Sequence, residues 1–377
     1  MFTAPGVWDV VGEAIAAGDH DGDGVDDLIV GGYGVGDYNV GAMYLLYGGV
    51  RRSGTNGIAT AADAVVTGND VDEYLGIDVA SGGDLDGDGT DEIFVGAYLL
   101  DRYGANSGAA FVLYGSAGRR SGEAEASSVA DAVILGEEEG GYLGGAVALV
   151  RDMNGDGLDE LLVGGTADER GSALLFLGDT TRLSGEYVAS GADVVYTGVA
   201  SGDGAGQAVY TLTDVTGDGY ADAGVYGYGY DVGAAQTGAL WVFGGGASLT
   251  VDAVATLHGD NDGDRFGAGA CSPGDLDGDG ASDLLVGAYE EDGGVDDAGA
   301  ARLWYGPVSG TMSAATADVT FLGSPSTQGQ LGRSLGAGDL TGDGFADIVL
   351  GAPGDNADPA GSNRSGSLYV WAGLGGE

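Results

Sequence analysis

The chain has 377 residues, a formal charge of −47 and 80 glycines, and all twelve of its basic residues are arginine. A surface this acidic repels phosphate backbones and anionic membranes, so nucleic acid is excluded as a partner. A single core rarely serves this length, which points to an array of units that each add a core of their own. One cysteine, Cys271, excludes internal disulfides and reads as a small buried apolar residue. No apolar run reaches membrane-spanning length, so no membrane insertion is expected, and Met1-Phe2-Thr3-Ala4-Pro5 lacks the shape of a signal peptide.

Taken in order, the chain first shows an acidic stretch at 18–31, GDHDGDGVDDLIVG, and then rebuilds it five times. The copies are GDLDGDGTDEIFVG (83–96), RDMNGDGLDELLVG (151–164), TDVTGDGYADAGVY (213–226), GDLDGDGASDLLVG (274–287) and GDLTGDGFADIVLG (338–351). Their first acids are Asp19, Asp84, Asp152, Asp214, Asp275 and Asp339, so successive copies lie 65, 68, 62, 61 and 64 positions apart. Self-similarity at a fixed period marks a repeat architecture. The repeats run approximately over 1–68, 69–136, 137–198, 199–259, 260–323 and 324–377 of one domain.

Counting the first acid as offset 1, oxygen-bearing side chains fall at offsets 1, 3, 5 and 9, and glycines at offsets 4 and 6. The first copy offers Asp19, Asp21, Asp23 and Asp27; the second Asp84, Asp86, Asp88 and Glu92; the third Asp152, Asn154, Asp156 and Glu160. The fourth offers Asp214, Thr216, Asp218 and Asp222, the fifth Asp275, Asp277, Asp279 and Asp283, the sixth Asp339, Thr341, Asp343 and Asp347. Alternate acids with glycines that permit a tight turn wrap a hard cation in oxygen, and such a flexible many-carboxylate loop suits Ca²⁺ better than Mg²⁺. Offset 7 varies freely (Val25, Thr90, Leu158, Tyr220, Ala281, Phe345), as expected of a residue that lends only its backbone carbonyl. About six Ca²⁺ are expected.

An EF-hand would need a bidentate acid at offset 12 and flanking helices. Offset 12 is instead Val30, Val95, Val163, Val225, Val286 and Leu350, inside short apolar runs that read as buried strands. Each repeat supplies four short strands, illustrated in the second by 76–81, 93–97, 109–114 and 132–135. Regular short strands without helical periodicity predict an all-β fold of four-stranded blades around an axis, a β-propeller.

The order of a Phe/Leu-Gly lead-in, an acidic loop and a V-G-A-P-like strand resembles the FG-GAP repeat of integrin α-subunit propellers. The residues that carry the likeness include Arg265-Phe266-Gly267 with 275–283 and Gly287-Ala288, and Leu331-Gly332 with 339–347 and Gly351-Ala352-Pro353. The resemblance implies calcium on one face of the propeller and ligand recognition mostly on the other. Integrin propellers have seven repeats, whereas six are visible here. Met1-Phe2-Thr3 align with Val65-Val66-Thr67, the tail of a fourth strand, so six blades are expected with Phe2 and Thr3 pairing against Ser367–Trp371. The alternative is a seven-bladed ring with part of it outside this chain.

Other features read more plainly. HGDNDGDRFG (258–267) falls where other repeats have an inter-blade connection, and is expected to be one rather than a seventh metal loop. Arg51-Arg52, Arg119-Arg120 and Arg182 recur after the third strand of repeats one to three and are expected to pair with nearby acids. His20 is expected to be solvent-exposed beside a metal, and His258 to end a strand without a nucleophile as partner. The sequence therefore predicts a non-catalytic, calcium-binding recognition or adhesion module, a monomeric domain at an extracellular or cell-surface location where calcium is plentiful. Its partner would be a protein or a glycan, bound by variable loops that contain Tyr33, Tyr38, Arg102, Tyr103, Arg170, Tyr228, Tyr230 and Glu290-Glu291-Asp292. The alternatives are the propeller domain of a carbohydrate-active or ester-cleaving enzyme, and a structural segment of a surface array.

Overall fold

A computed structural model of the chain describes residues 2–4, 6, 9–50, 52, 55–165, 169–232, 235–292, 295–325, 328–355 and 366–373. In every repeat the acidic loop joins two antiparallel strands. In blade 2, Val79–Ala80 pairs with Ile93–Ala97, which pairs with Ala109–Leu113, which pairs in turn with Ala132–Leu135. The middle strands are continuous apolar runs because both of their faces are buried, as at Ile93–Ala97 and Ala109–Leu113. The chain is thus all-β, with six propeller blades that are mostly four-stranded. The sixth contributes three described strands, Ser334–Gly338, Asp347–Ala352 and Ser367–Trp371.

The chain forms two compact units, one with blades 1 to 3 and one with blades 4 to 6. Within the first, Ile29, Met43 and Leu45 of blade 1 pack against Ile93, Val95 and Phe111 of blade 2. Phe94 and Val112 of blade 2 pack in turn against Leu161 and Val163 of blade 3. Within the second, Leu240 and Val242 meet Leu284, Val286 and Trp304, and Leu303 and Phe321 meet Ile348 and Leu350. Blades 2 and 5 therefore each supply half of two cores.

A further strand is absent from the sequence reading. Gly122–Glu125, from the connection between the third and fourth strands of repeat two, runs parallel beside Ala64–Thr67 of blade 1. Gly185–Val188 does the same for Ala132–Leu135 of blade 2, and Gly310–Ser313 for Ala255–His258 of blade 4. Phe2–Thr3 pairs in parallel with Asn56–Gly57, with Thr3 opposite Gly57 as Thr67 is opposite Glu125. The alignment of Phe2 and Thr3 with Val66 and Thr67 therefore holds, but the partner differs from the expected one. Ser367–Trp371 pairs with Asp347–Ala352, and among the described residues no pairing joins it to Phe2–Thr3. The strand donated from the next connection, unseen in the sequence, supplies the edge that Phe2–Thr3 takes.

Two glycines of the repeat are required by a close approach between blades. The lead-in glycines Gly76, Gly144 and Gly332 hold φ of 82°, 82° and 89°, a region that favours glycine. Their carbonyl oxygens press on the second-strand glycine of the preceding blade, so that a Cβ on Gly31, Gly96 or Gly287 would lie 2.3, 2.0 or 2.0 Å from Gly76 O, Gly144 O or Gly332 O. Parallel bridges of Gly41 to Leu75, Gly108 to Leu143 and Gly299 to Leu331 complete the lacing. Gly96→Ala should destabilise the fold by about 3 kcal/mol, whereas Gly336→Ala, whose Cβ meets nothing within 4 Å, should stay within about 0.5 kcal/mol. Urea denaturation of the two variants measures the difference.

Candidate metal-binding loops

The acidic loops owe their shape to their own backbone. Gly22 and Gly24 hold φ of 69° and 84°, and Gly278 and Gly280 hold 84° and 101°. This curls the following N–H groups back onto the first acid. Asp19 accepts Asp23 N at 3.0 Å and Gly24 N at 2.8 Å, and Asp275 accepts Asp279 N at 3.1 Å and Gly280 N at 2.9 Å. Asp214 and Asp339 repeat the pattern with Gly219 N and Gly344 N. The acid at offset 5 caps the backbone two residues on, as Asp23 does for Val25 N at 3.0 Å and Asp156 for Leu158 N at 2.9 Å.

The acid at offset 9 has a second duty that sequence reasoning missed. Asp27, Glu92, Glu160, Asp222, Asp283 and Asp347 are all buried. Asp27 accepts His20 N at 3.0 Å and Gly48 N at 2.8 Å, so one carboxylate ties the start of the loop to the end of the third strand. Asp222 does so with Val215 N and Gly245 N, Asp283 with Leu276 N and Gly306 N, and Asp347 with Leu340 N and Gly373 N. The signal was present in the glycine that closes every third strand. A Cβ on Gly48 or Gly306 would lie 2.4 Å from Asp26 O or Ser282 O.

Burial disfavours charge on four of these acids, whereas the N–H of Gly373, with those of Leu340 and Thr341, holds the Asp347 carboxyl below its ordinary value. Burial pushes the Glu92 carboxyl up to about 8, against the pull of the Leu85 and Gly115 N–H groups and with a further push from Asp86 and Asp84. Burial likewise raises Asp222 to about 6 and Asp27 and Asp283 above the usual carboxylate range. Carboxylate oxygens converge in three loops: Asp19, Asp21 and Asp27; Asp84, Asp86 and Glu92; and Asp275, Asp277 and Asp279, each set lying within 4.8 Å of one another. These are the three loops with four acids at the ligand offsets. In loop 4 the Thr216 hydroxyl donates to Asp222 at 3.2 Å instead. Donor sets of carboxylate oxygen alone, on turns open to solvent, fit a hard divalent cation.

Offset 7 does more than lend a carbonyl. Thr90 Cγ2 lies 3.0 Å, and Leu158 Cδ2 2.9 Å, from where a Cβ would stand on Gly22 and Gly87 of the preceding loop. Offset 8 joins the loops as well. Asp91 Oδ2 accepts Asp19 N at 2.7 Å, and Asp159 Oδ2 accepts Asp84 N at 2.9 Å. His20 is buried rather than exposed, because its Nδ1 bonds Asp91 O at 3.0 Å and its Nε2 faces Arg120 Nε at 3.4 Å. Burial lowers its pKa. Cys271 is half-buried, packed on the core of blades 5 and 6.

In 258–267 the acids point apart: Asp260 to Ala315 N, Asp262 to Ala235 N, and Asp264 to Asn261 N. That stretch is a connection, as expected. Of the arginines, Arg52 bonds Asp63 and Arg120 bonds Asp131, whereas Arg51 lies outside the described residues. The expected recognition residues are mostly engaged internally. Tyr33 stacks on Tyr74, Arg102 bonds Glu186, Tyr228 lies under Arg265, Tyr230 meets Trp241 edge-on, and Glu291 pairs with Arg302. Tyr38 and Tyr103 stand exposed, at 76% and 55%.

Blades of this topology, each carrying an oxygen-rich acidic loop between its first two strands, define a β-propeller repeat protein. More particularly, its repeats match the FG-GAP type and the chain is similar in sequence to integrin α subunits. The FG-GAP repeat model matches residues 331–371, and the model of an FG-GAP-like repeat matches 275–350. The chain is 28% identical over 275 residues to Integrin alpha-PS2 of Drosophila melanogaster, covering 63% of this chain and 18% of that protein. It is 30% identical over 172 residues to Integrin alpha-5 of Xenopus laevis, covering 42% and 16%. It therefore spans less than a fifth of the length of these relatives. Among solved structures it is similar to an exotype rhamnogalacturonan lyase with a TM-score of 0.45 and 15% identity, over 96% of this chain and 56% of that one.

The raised acids give stability a definite dependence on pH. An acid whose folded pKa lies above its unfolded value favours folding when protonated, and that contribution is lost as pH rises through the window between the two. For Glu92 the window runs from 4.5 to about 8. With chelator present, the Tm should fall as pH rises from 5 to 8. Glu92→Gln should flatten that slope in a thermal melt series.

Proposed function

We propose that the chain is a calcium-binding recognition or adhesion module that works outside the cytosol, with up to six Ca²⁺ held in its acidic loops. The observation that carries this reading is the convergence of carboxylate oxygens to within 4.8 Å in loops 1, 2 and 5. The acids at offsets 1, 3, 5 and 9 and the carbonyl at offset 7 would hold the ion. Bound there, the ion supplies the positive charge that clustered carboxylates need to remain ionised and close together. Asn154, Thr216 and Thr341 leave loops 3, 4 and 6 with one carboxylate fewer at these offsets, so these loops would bind more weakly.

Recognition falls to the connections at the other ends of the strands, where Tyr38 and Tyr103 offer exposed aromatic surface to a protein or a glycan. A non-catalytic role is supported by the two histidines. His20 is buried between Asp91 and Arg120, and His258 is buried with its Nδ1 2.8 Å from Gly259 O. Neither is placed as a general base.

A ligand that binds only the folded state stabilises it by about 2.7 kcal/mol at a hundredfold excess over Kd. Several such sites should separate the Tm in millimolar calcium from that in chelator by ~10 °C or more. Equal melting points would remove the calcium reading. A glycan and extracellular-protein array, probed with wild type and with Tyr38→Ala and Tyr103→Ala, tests recognition; hits unaffected by both substitutions would move the binding surface elsewhere.

A further inference from the structure

In loops 1 and 2 a cation from the following blade already sits on the acids. The connection after the third strand of blade 2 lies over loop 1, with Ser116 N donating to His20 O at 3.0 Å. From it Arg119 reaches back, 98 positions along the chain, and bridges two acids: Nε bonds Asp21 Oδ2, and an NH2 group bonds Asp23 Oδ2 at 2.8 Å. The guanidinium stands 4.7 Å from the centre of the Tyr47 ring, and the Tyr47 hydroxyl is held by Arg120 N at 2.6 Å. Blade 3 repeats the device on loop 2. Asp179 N donates to Leu85 O at 3.1 Å, and Arg182 bridges Asp86 and Asp88 over Tyr114, 4.8 Å away, whose hydroxyl accepts Leu183 N at 2.9 Å.

Two copies of one geometry, at the same offsets and on the same ring platform, are a built feature rather than a chance surface pairing. On loop 4 the matching connection places Pro307 against Gly217. Loop 5 has the same four acids as loops 1 and 2, and among the described residues no ion pair joins Asp275, Asp277 or Asp279.

We propose that Arg119 and Arg182 are tethered counter-cations that compete with calcium for loops 1 and 2 and so raise the calcium concentration at which those loops fill. The proposal rests on the calcium reading above. The arithmetic of charge gives its sign. Without metal, the guanidinium offsets repulsion between the acids at offsets 3 and 5 and steadies the empty loop. With metal, a positive charge bonded to two of the ligand side chains opposes a second cation beside them. The arginine therefore favours the empty loop over the filled one, and its fork is suited to spanning two carboxylates.

The test is a calorimetric calcium titration of the full chain, chelator-stripped, as wild type and as Arg119→Gln with Arg182→Gln. The double variant should bind calcium about tenfold more tightly at two sites, equivalent to about 1.4 kcal/mol each, and its calcium-free Tm should drop. In the unaltered chain, the Nε–H resonances of Arg119 and Arg182 should shift on calcium addition, while that of Arg302, paired with Glu291 at 2.7 Å, stays put. This readout holds even where the variants fold poorly. Unchanged or weaker calcium binding by the double variant, or unmoved Arg119 and Arg182 signals at saturating calcium, overturns the proposal. A wild type that binds no calcium instead removes the reading on which it stands.

Discussion

A carboxylate buried at the root of each acidic loop is the constraint on which the rest depends. In loops 1, 2, 4, 5 and 6 it holds loop and sheet together, since its oxygens take an N–H from the start of the loop and another from the end of the third strand. A buried carboxylate left without a compensating charge is costly, and burial accordingly raises the pKa of Glu92 and Asp222. The blade is thus built around a charge that it does not neutralise from within. A cation bound in the loop would resolve the conflict, and metal binding and blade stability would then be one property rather than two.

The second organising feature is that blades are fastened to their neighbours at both ends of their strands. At one end, glycine carbonyls press on glycine Cα atoms with no room for a side chain. At the other, loops 1 and 2 lean on the loop that follows through its offset-7 side chain and its offset-8 backbone, as when Asp91 N donates to Asp19 O at 3.0 Å and Asp159 N to Asp84 O at 3.1 Å. The loops of a unit therefore form a connected series, and Arg119 and Arg182 add charge to that connection in its first two members.

Much of this was legible in the sequence because it is local. The six loops, their glycines, the strand that follows each of them and the inter-blade character of 258–267 all follow from residues within about a dozen positions of one another. The features that escaped are long-range. Gly122–Glu125 reads as a polar connection and becomes a strand only because the edge of Ala64–Thr67 is open beside it. His20 looks exposed in the acidic stretch and is buried by a loop 71 positions away. The partner of Phe2–Thr3 was misread for the same reason, since the strand that receives it was not visible. Offset 9 was read as a ligand alone, because its bond to the third strand needs the folded sheet to exist.

The central claim is that the folded chain, and only the folded chain, gathers calcium into its acidic loops. Native mass spectrometry of the chelator-stripped protein, titrated with calcium while folded and again after unfolding in acid, measures this most directly. The account predicts discrete additions of calcium to the folded chain, three or more at low concentration and up to six at saturation, with none retained by the unfolded chain. A folded chain that takes up no calcium, or one that binds no more than its unfolded form, would contradict it.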